Sequence, residues 1–150
     1  MVADSVVIGN NSFSNNNCNG LMMAEEKDDK GYYNAEKIVV RHNSFTDQKG
    51  TLLNIYRGGN DESTLGPALI FSHNKIINCN TADSIPLMTL TGVQQSAIFS
   101  NDFTGSNNTG ILLRYFDTVR AAHLLERNVV YNSGRIEENS FVTKTENSIK

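Results

Sequence analysis

An asparagine recurs along this 150-residue chain between two apolar positions, and no other feature narrows the choice of fold as much. The segments are VVIGNNSF, IVVRHNSF, LIFSHNKI, AIFSNDF and LLERNVV, carrying Asn11, Asn43, Asn74, Asn101 and Asn128. Three residues before each asparagine stand Ile8, Val40, Phe71, Ile98 and Leu125; two residues after stand Phe13, Phe45, Ile76, Phe103 and Val130. Successive asparagines lie 32, 31, 27 and 27 residues apart. A second apolar run follows the first four motifs: GLMMA at Gly20, GTLLNIY at Gly50, IPLMTL at Ile85 and GILLRYF at Gly110.

A repeat of this length that cannot bury its own apolar face must stack on its neighbours. The pattern therefore predicts an all-β chain, a right-handed parallel β-helix of about five coils forming a single domain over residues 1–150. Strands in successive coils lie about 4.8 Å apart, so equivalent asparagines can hydrogen-bond up and down the stack. The abundance of asparagine and the presence of only two prolines suit short strands joined by tight turns. A sixth match around Asn139, in GRIEENSFV, follows Asn128 too closely for a full coil and reads as a turn that mimics the motif or as a fraying end. The N-terminal edge begins inside a coil with nothing to cover it, an expectation that the chain is the end of a longer solenoid or half of an assembly.

The net charge of −3 argues against non-specific nucleic-acid binding, which needs a basic surface. No apolar run approaches the roughly 20 residues of a membrane span. The opening MVADSVVIGNNSF lacks the basic region, apolar core and cleavage site of a secretory leader. Cys18 and Cys79 make neither a disulfide framework nor a metal signature and read as ordinary thiols.

The run DKGYYNAEKIVVRHNSF, followed by LLNIYRGGNDESTLGPALIFSHNKI, resembles the C-terminal β-helical region of family 6 polysaccharide lyases, the alginate lyase and chondroitinase B group. The similarity extends from Asp29 to Arg135. YRGGNDESTLGP is its most specific part, and LTGVQQSAIFSNDF and YNSGRI support it. The resemblance implies a parallel β-helix. It also implies a parent enzyme, periplasmic or secreted, that cleaves an acidic uronate polysaccharide by β-elimination. In that family calcium neutralises the uronate carboxylate, a lysine takes the C5 proton and an arginine assists the leaving oxygen. The implied partners are an alginate-like polysaccharide and either an N-terminal catalytic β-helix domain or a homodimer mate.

The catalytic set of that family is not recognisable in this chain. Glu25 and Glu26 are adjacent, so on a strand they face opposite ways, and AEEKDDKG reads as a solvated loop. Lys37 and Arg41 flank a strand with no acidic cluster one coil away. No catalytic residue and no metal ligand is therefore assigned, and calcium belongs to the parent rather than to this chain. The chain would extend the solenoid, aid dimerisation or frame a substrate groove. Two rival readings stand beside this one: a free-standing carbohydrate-binding or structural β-helix, and a lyase in its own right with Lys37 or Lys75 as base and Arg41 or Arg57 as partner.

Two places could meet an anionic sugar. The column just before the asparagine ladder reads Asn10, His42, His73, Ser100 and Arg127, with Arg41 and Lys75 beside it. It is either a groove for carboxylates or a solvated turn edge. A second set comprises Arg114, Arg120, His123, Arg127 and Arg135, with Tyr115 and Phe116 among them. Strand alternation sends Tyr115 to the face opposite Arg114, so not all of the set can line one surface; it is either a place where aromatic and basic groups meet uronate sugars or outward charges plus one core aromatic. In NIYRGGNDESTLGP, Asn60, Asp61 and Glu62 are consecutive and make a poor calcium cage. The loop reads as a connector in which Gly58 and Gly59 turn the chain toward a strand starting at Ala68. Arg57 either pairs with its acids or touches substrate or another domain.

Overall fold

The computed structural model describes residues 5–17, 19–23, 26–28, 31–33, 35–56, 68–79, 86–93, 95–106, 111–114, 122–131 and 142–149. Three parallel sheets wrap a common core. Each coil gives one strand to the first sheet: β1 (Ser5–Gly9), then β6 (Lys37–Arg41), β9 (Ala68–Ser72), β12 (Gln95–Phe99), β15 (Ala122–Glu126) and β17 (Val142–Thr145). The second sheet stacks β2 (Ser12–Ser14), β7 (Ser44–Thr46), β10 (Lys75–Ile77), β13 (Asp102–Thr104), β16 (Val129–Tyr131) and β18 (Ser148–Ile149). The third stacks β3 (Leu21–Met23), β8 (Leu53–Tyr56), β11 (Met88–Thr91) and β14 (Ile111–Arg114). Every pairing within these sheets is parallel and joins equivalent residues of neighbouring coils, the arrangement of a right-handed parallel β-helix of about five coils.

Each asparagine motif holds a corner, and so carries two strands where its apolar pattern suggests one. The residue before each ladder asparagine takes a left-handed conformation: φ is 59° at Asn10, 55° at His42, 54° at His73, 54° at Ser100 and 49° at Arg127. That single residue turns the chain from the first sheet into the second. A further left-handed column, Asn15, Asp47, Asn78 and Gly105, closes the second sheet. At Gly105 a Cβ would meet Asn78 Oδ1, and that side chain would have to move aside. Asparagine, aspartate and histidine tolerate this conformation better than most residues, which accounts for their recurrence at the corners.

The ladder closes the corner from inside. Asn11 donates its backbone N–H and its Nδ2 to Asn43 Oδ1 at 3.0 and 3.2 Å. The same pair of bonds joins Asn43 to Asn74, Asn74 to Asn101 and Asn101 to Asn128. The second Nδ2 hydrogen returns to the preceding coil, from Asn74 to Val40 O and from Asn101 to Phe71 O, both at 3.0 Å. Each backbone carbonyl then accepts from the residue after the next rung, as Asn43 O does from Lys75 N–H at 2.9 Å. Asn43, Asn74, Asn101 and Asn128 are buried, and their amides are fully paired, as buried polar groups must be.

Inside the coils the apolar positions fall in columns. Ile38, Val40, Phe45, Leu53, Ile55, Phe71, Ile76 and Phe103 are all essentially inaccessible to solvent, each such burial being worth about 1.5–3 kcal/mol. Phe13 stacks on Phe45 with centroids 4.9 Å apart and planes 7° from parallel. A second polar column runs five residues after the ladder. Asn16 Nδ2 donates to Gln48 Oε1 at 3.0 Å, and Cys79 N–H to Ser106 Oγ at 3.1 Å. Cys79 is a buried thiol, and burial pushes its pKa up.

One expectation falls outside the described residues, with the next rung of the ladder found elsewhere, and one is corrected by this architecture. Asn139 lies outside the described residues, and the rung after Asn128 is Asn147, which accepts from Asn128 N–H and Nδ2 at 2.9 Å each. Lys144 stands three residues before it, where the earlier rungs carry an apolar residue, so the pattern passes it over. The AEEKDDKG stretch contributes to an antiparallel hairpin, β4 (Glu26–Asp28) with β5 (Gly31–Tyr33), where a plain solvated loop was expected.

Removing a central rung strands the N–H of one coil and a carbonyl of another in the core. Asn74→Ala is expected to cost about 2–4 kcal/mol in denaturant unfolding, and Asn11→Ala, at the open end, less than about 1 kcal/mol. Equal costs at the two positions would show that the ladder does not govern stability.

Candidate functional site

The first corner presents its left-handed column to solvent. Asn10, His42, His73 and Arg127 are exposed, and Ser100 is half-buried. Their backbone N–H groups are taken by the next coil, as His42 N–H is by Ser72 O at 3.1 Å and His73 N–H by Phe99 O at 3.2 Å. The side chains are thus free of backbone duty. The rings of His42 and His73 stack with centroids 4.9 Å apart and planes 22° apart. Phe99, on the outer face of β12, meets His73 edge-on at 5.5 Å. Arg41 and Lys75, also exposed, flank the two histidines at the end of β6 and the start of β10. Both histidines of this corner, with Arg41 and Lys75, therefore gather on the second and third coils, and Arg127 stands apart on the fifth.

The row does not keep one character along its length. Arg127 is engaged by its neighbour Glu126 in a salt bridge, and the next left-handed residue is Glu146, with φ 57°. Asp102 stands in register with Lys75 one coil on. The usable patch is Arg41, His42, His73 and Lys75, with Phe99 at its edge.

Of the second basic set, the described His123 and Arg127 do not share a surface. His123 lies on the inner side of β15, 4% exposed, with Nδ1 2.5 Å from Ser96 Oγ on β12. Strand alternation puts His123 and Leu125 into the core and Glu126 beside the corner. Burial lowers the His123 pKa from 6.5 to about 4, so the ring is neutral at physiological pH and adds no positive charge. Arg114 ends β14 in register with Thr91. Tyr115, Phe116, Arg120 and Arg135 lie outside the described residues, as do Arg57, Asn60, Asp61 and Glu62; β9 does begin at Ala68.

Lys37 and Arg41 both lie exposed on β6 but four residues apart, about 13 Å along an extended strand. Among the described residues no group of three histidine, cysteine, aspartate or glutamate side chains could hold a metal ion. Calcium requires six to eight oxygens, so the described residues do not fit a calcium site, and no reaction step here is routed through one.

The buried imidazole has a thermodynamic consequence. Its folded pKa lies below its unfolded value, so its full contribution is present above pH 6.5 and is lost as pH falls from there toward about 4. Thermal unfolding followed by circular dichroism should show His123→Asn losing less stability than the parent chain over that window. Identical pH profiles would mean that His123 is not held neutral in the core.

No protein-family model matches this chain, and no curated protein matches it.

Proposed function

We propose that this chain is the C-terminal β-helical module of an alginate-lyase-like polysaccharide lyase, and that the second and third coils border the path of an acidic, uronate-containing polysaccharide. The observation that carries this reading is the exposed Arg41, His42, His73 and Lys75 patch on a solenoid corner, taken together with the resemblance of the YRGGNDESTLGP run to the family. A parallel β-helix presents equivalent side chains at a repeat of about 4.8 Å along its axis, so its corner forms a straight polar edge to which an extended polymer can lie parallel or across. Guanidinium and ammonium groups on that edge suit sugar carboxylates through charge-assisted hydrogen bonds, and the stacked rings add a flat face. The β-elimination chemistry is assigned to the parent's other module, where calcium would acidify the C5 proton. This chain would bind and orient, and would release no unsaturated ends by itself.

Electrophoresis through a gel containing alginate tests the binding. Retardation is expected at low salt and should shrink as ionic strength rises, because exposed charge pairs are screened. Arg41→Ala with Lys75→Ala should remove most of it. His42→Gly with His73→Gly should weaken it while keeping the fold, since glycine accepts φ near 55° without strain. Unchanged mobility of the parent chain in alginate would overturn the proposal.

A further inference from the structure

The asparagine ladder has a direction. Each Oδ1 receives two donors from the coil before it, and each N–H and Nδ2 gives to the coil after it. At Asn11 the series ends on an acceptor: among the described residues nothing donates to Asn11 Oδ1. The Asn11 Nδ2 also departs from the pattern. On later rungs it reaches the coil before, as from Asn43 to Ile8 O at 3.0 Å; here it folds back to Gly9 O at 3.0 Å. Among the described residues, the same end of the solenoid carries the open edges of all three sheets, since β1, β2 and β3 each pair on one side only. The core columns are cut there too. Val6, Ile8, Phe13, Leu21 and Met23 are only partly buried, whereas their register partners Ile38, Val40, Phe45, Leu53 and Ile55 are at most 1% exposed.

We propose that this end is a docking face for one more parallel coil, running in the same sense and supplied by polypeptide that leads into β1. Its rung residue gives a backbone N–H and a side-chain amide hydrogen to Asn11 Oδ1. The interface between the first and second coils is the template, because the new coil would repeat its hydrogen bonds and its apolar columns. Ladder polarity selects against a face-to-face pair, and a lysine in the last coil against a head-to-tail one. Two copies meeting through this end would set Asn11 Oδ1 against Asn11 Oδ1, acceptor against acceptor. A second copy stacked head to tail would bring its last coil, where Lys144 holds the register position of Leu125, onto the Ile8 column. Edge lysines oppose strand pairing. Identifying the incoming coil with the parent enzyme's N-terminal β-helix rests on the proposed function; the docking geometry does not.

Fusing a copy of residues 68–94 directly before Ser5 places its asparagine 27 residues ahead of Asn11, the spacing of the third and fourth rungs. Amide exchange in β1, β2 and β3 should slow by about tenfold or more, and the unfolding midpoint should rise. Replacing the added asparagine with alanine should remove most of both gains. Exchange in β1 to β3 as fast as in the unextended chain, whether or not the added segment folds, overturns the proposal. Sedimentation of the unextended chain should show a monomer across concentration; growth into longer species would assign this face to a second copy and overturn the assignment to a preceding coil. None of these measurements involves a sugar, so their failure leaves the polysaccharide reading standing, and failure of alginate binding leaves this one.

Discussion

A hydrogen bond from a backbone N–H to an asparagine Oδ1 one coil away is the contact on which the rest of the structure depends. The corner before each ladder asparagine leaves an N–H with no strand partner. The Oδ1 of the next rung meets that need, and the Nδ2 bonds then tie the carboxamide to coils on both sides. A slip of one residue would break every rung at once and turn each apolar column outward. The ladder therefore sets the register that buries Phe45, Phe71 and Phe103, and the left-handed corner that faces His42 and His73 to solvent.

Much of this is legible in the sequence, for a specific reason. An asparagine alone says little in a chain so rich in it, but Ile8 and Phe13, Val40 and Phe45, and their successors frame it at constant offsets. The corner is harder to see. The strands of the second sheet are only two or three residues long, too short to show a period, and His42 or Arg127 does not announce a positive φ as glycine would. Asn147 escapes the pattern because Lys144 replaces the apolar residue before it. His123 looks like a member of a basic set until strand pairing puts it beside Ser96 in the core. Linear sequence lists charges, whereas the inward or outward direction of a side chain depends on where each strand begins.

The same geometry divides the candidate sites. Left-handed tolerance is a sufficient structural reason for histidine at the corner, and exposure beside Arg41 and Lys75 gives that histidine something to do. The two explanations are compatible, because a corner needs only the backbone of its residue and leaves the side chain to solvent. A solenoid of this kind is a scaffold that can host many functions. What distinguishes this chain is the concentration of cationic and aromatic groups on two adjacent coils and a polar ladder that ends on an acceptor.

Hydrogen exchange at the backbone amides of Asn43, Asn74 and Asn101 tests the central claim most directly. These residues sit at corners between short strands, where exchange is ordinarily fast. If the Oδ1 ladder holds the coils together, their amides should exchange only through global unfolding, as slowly as those of Val40 and Phe71 in the neighbouring strands. Exchange at the rate of exposed turns, with the flanking strands still protected, would contradict it.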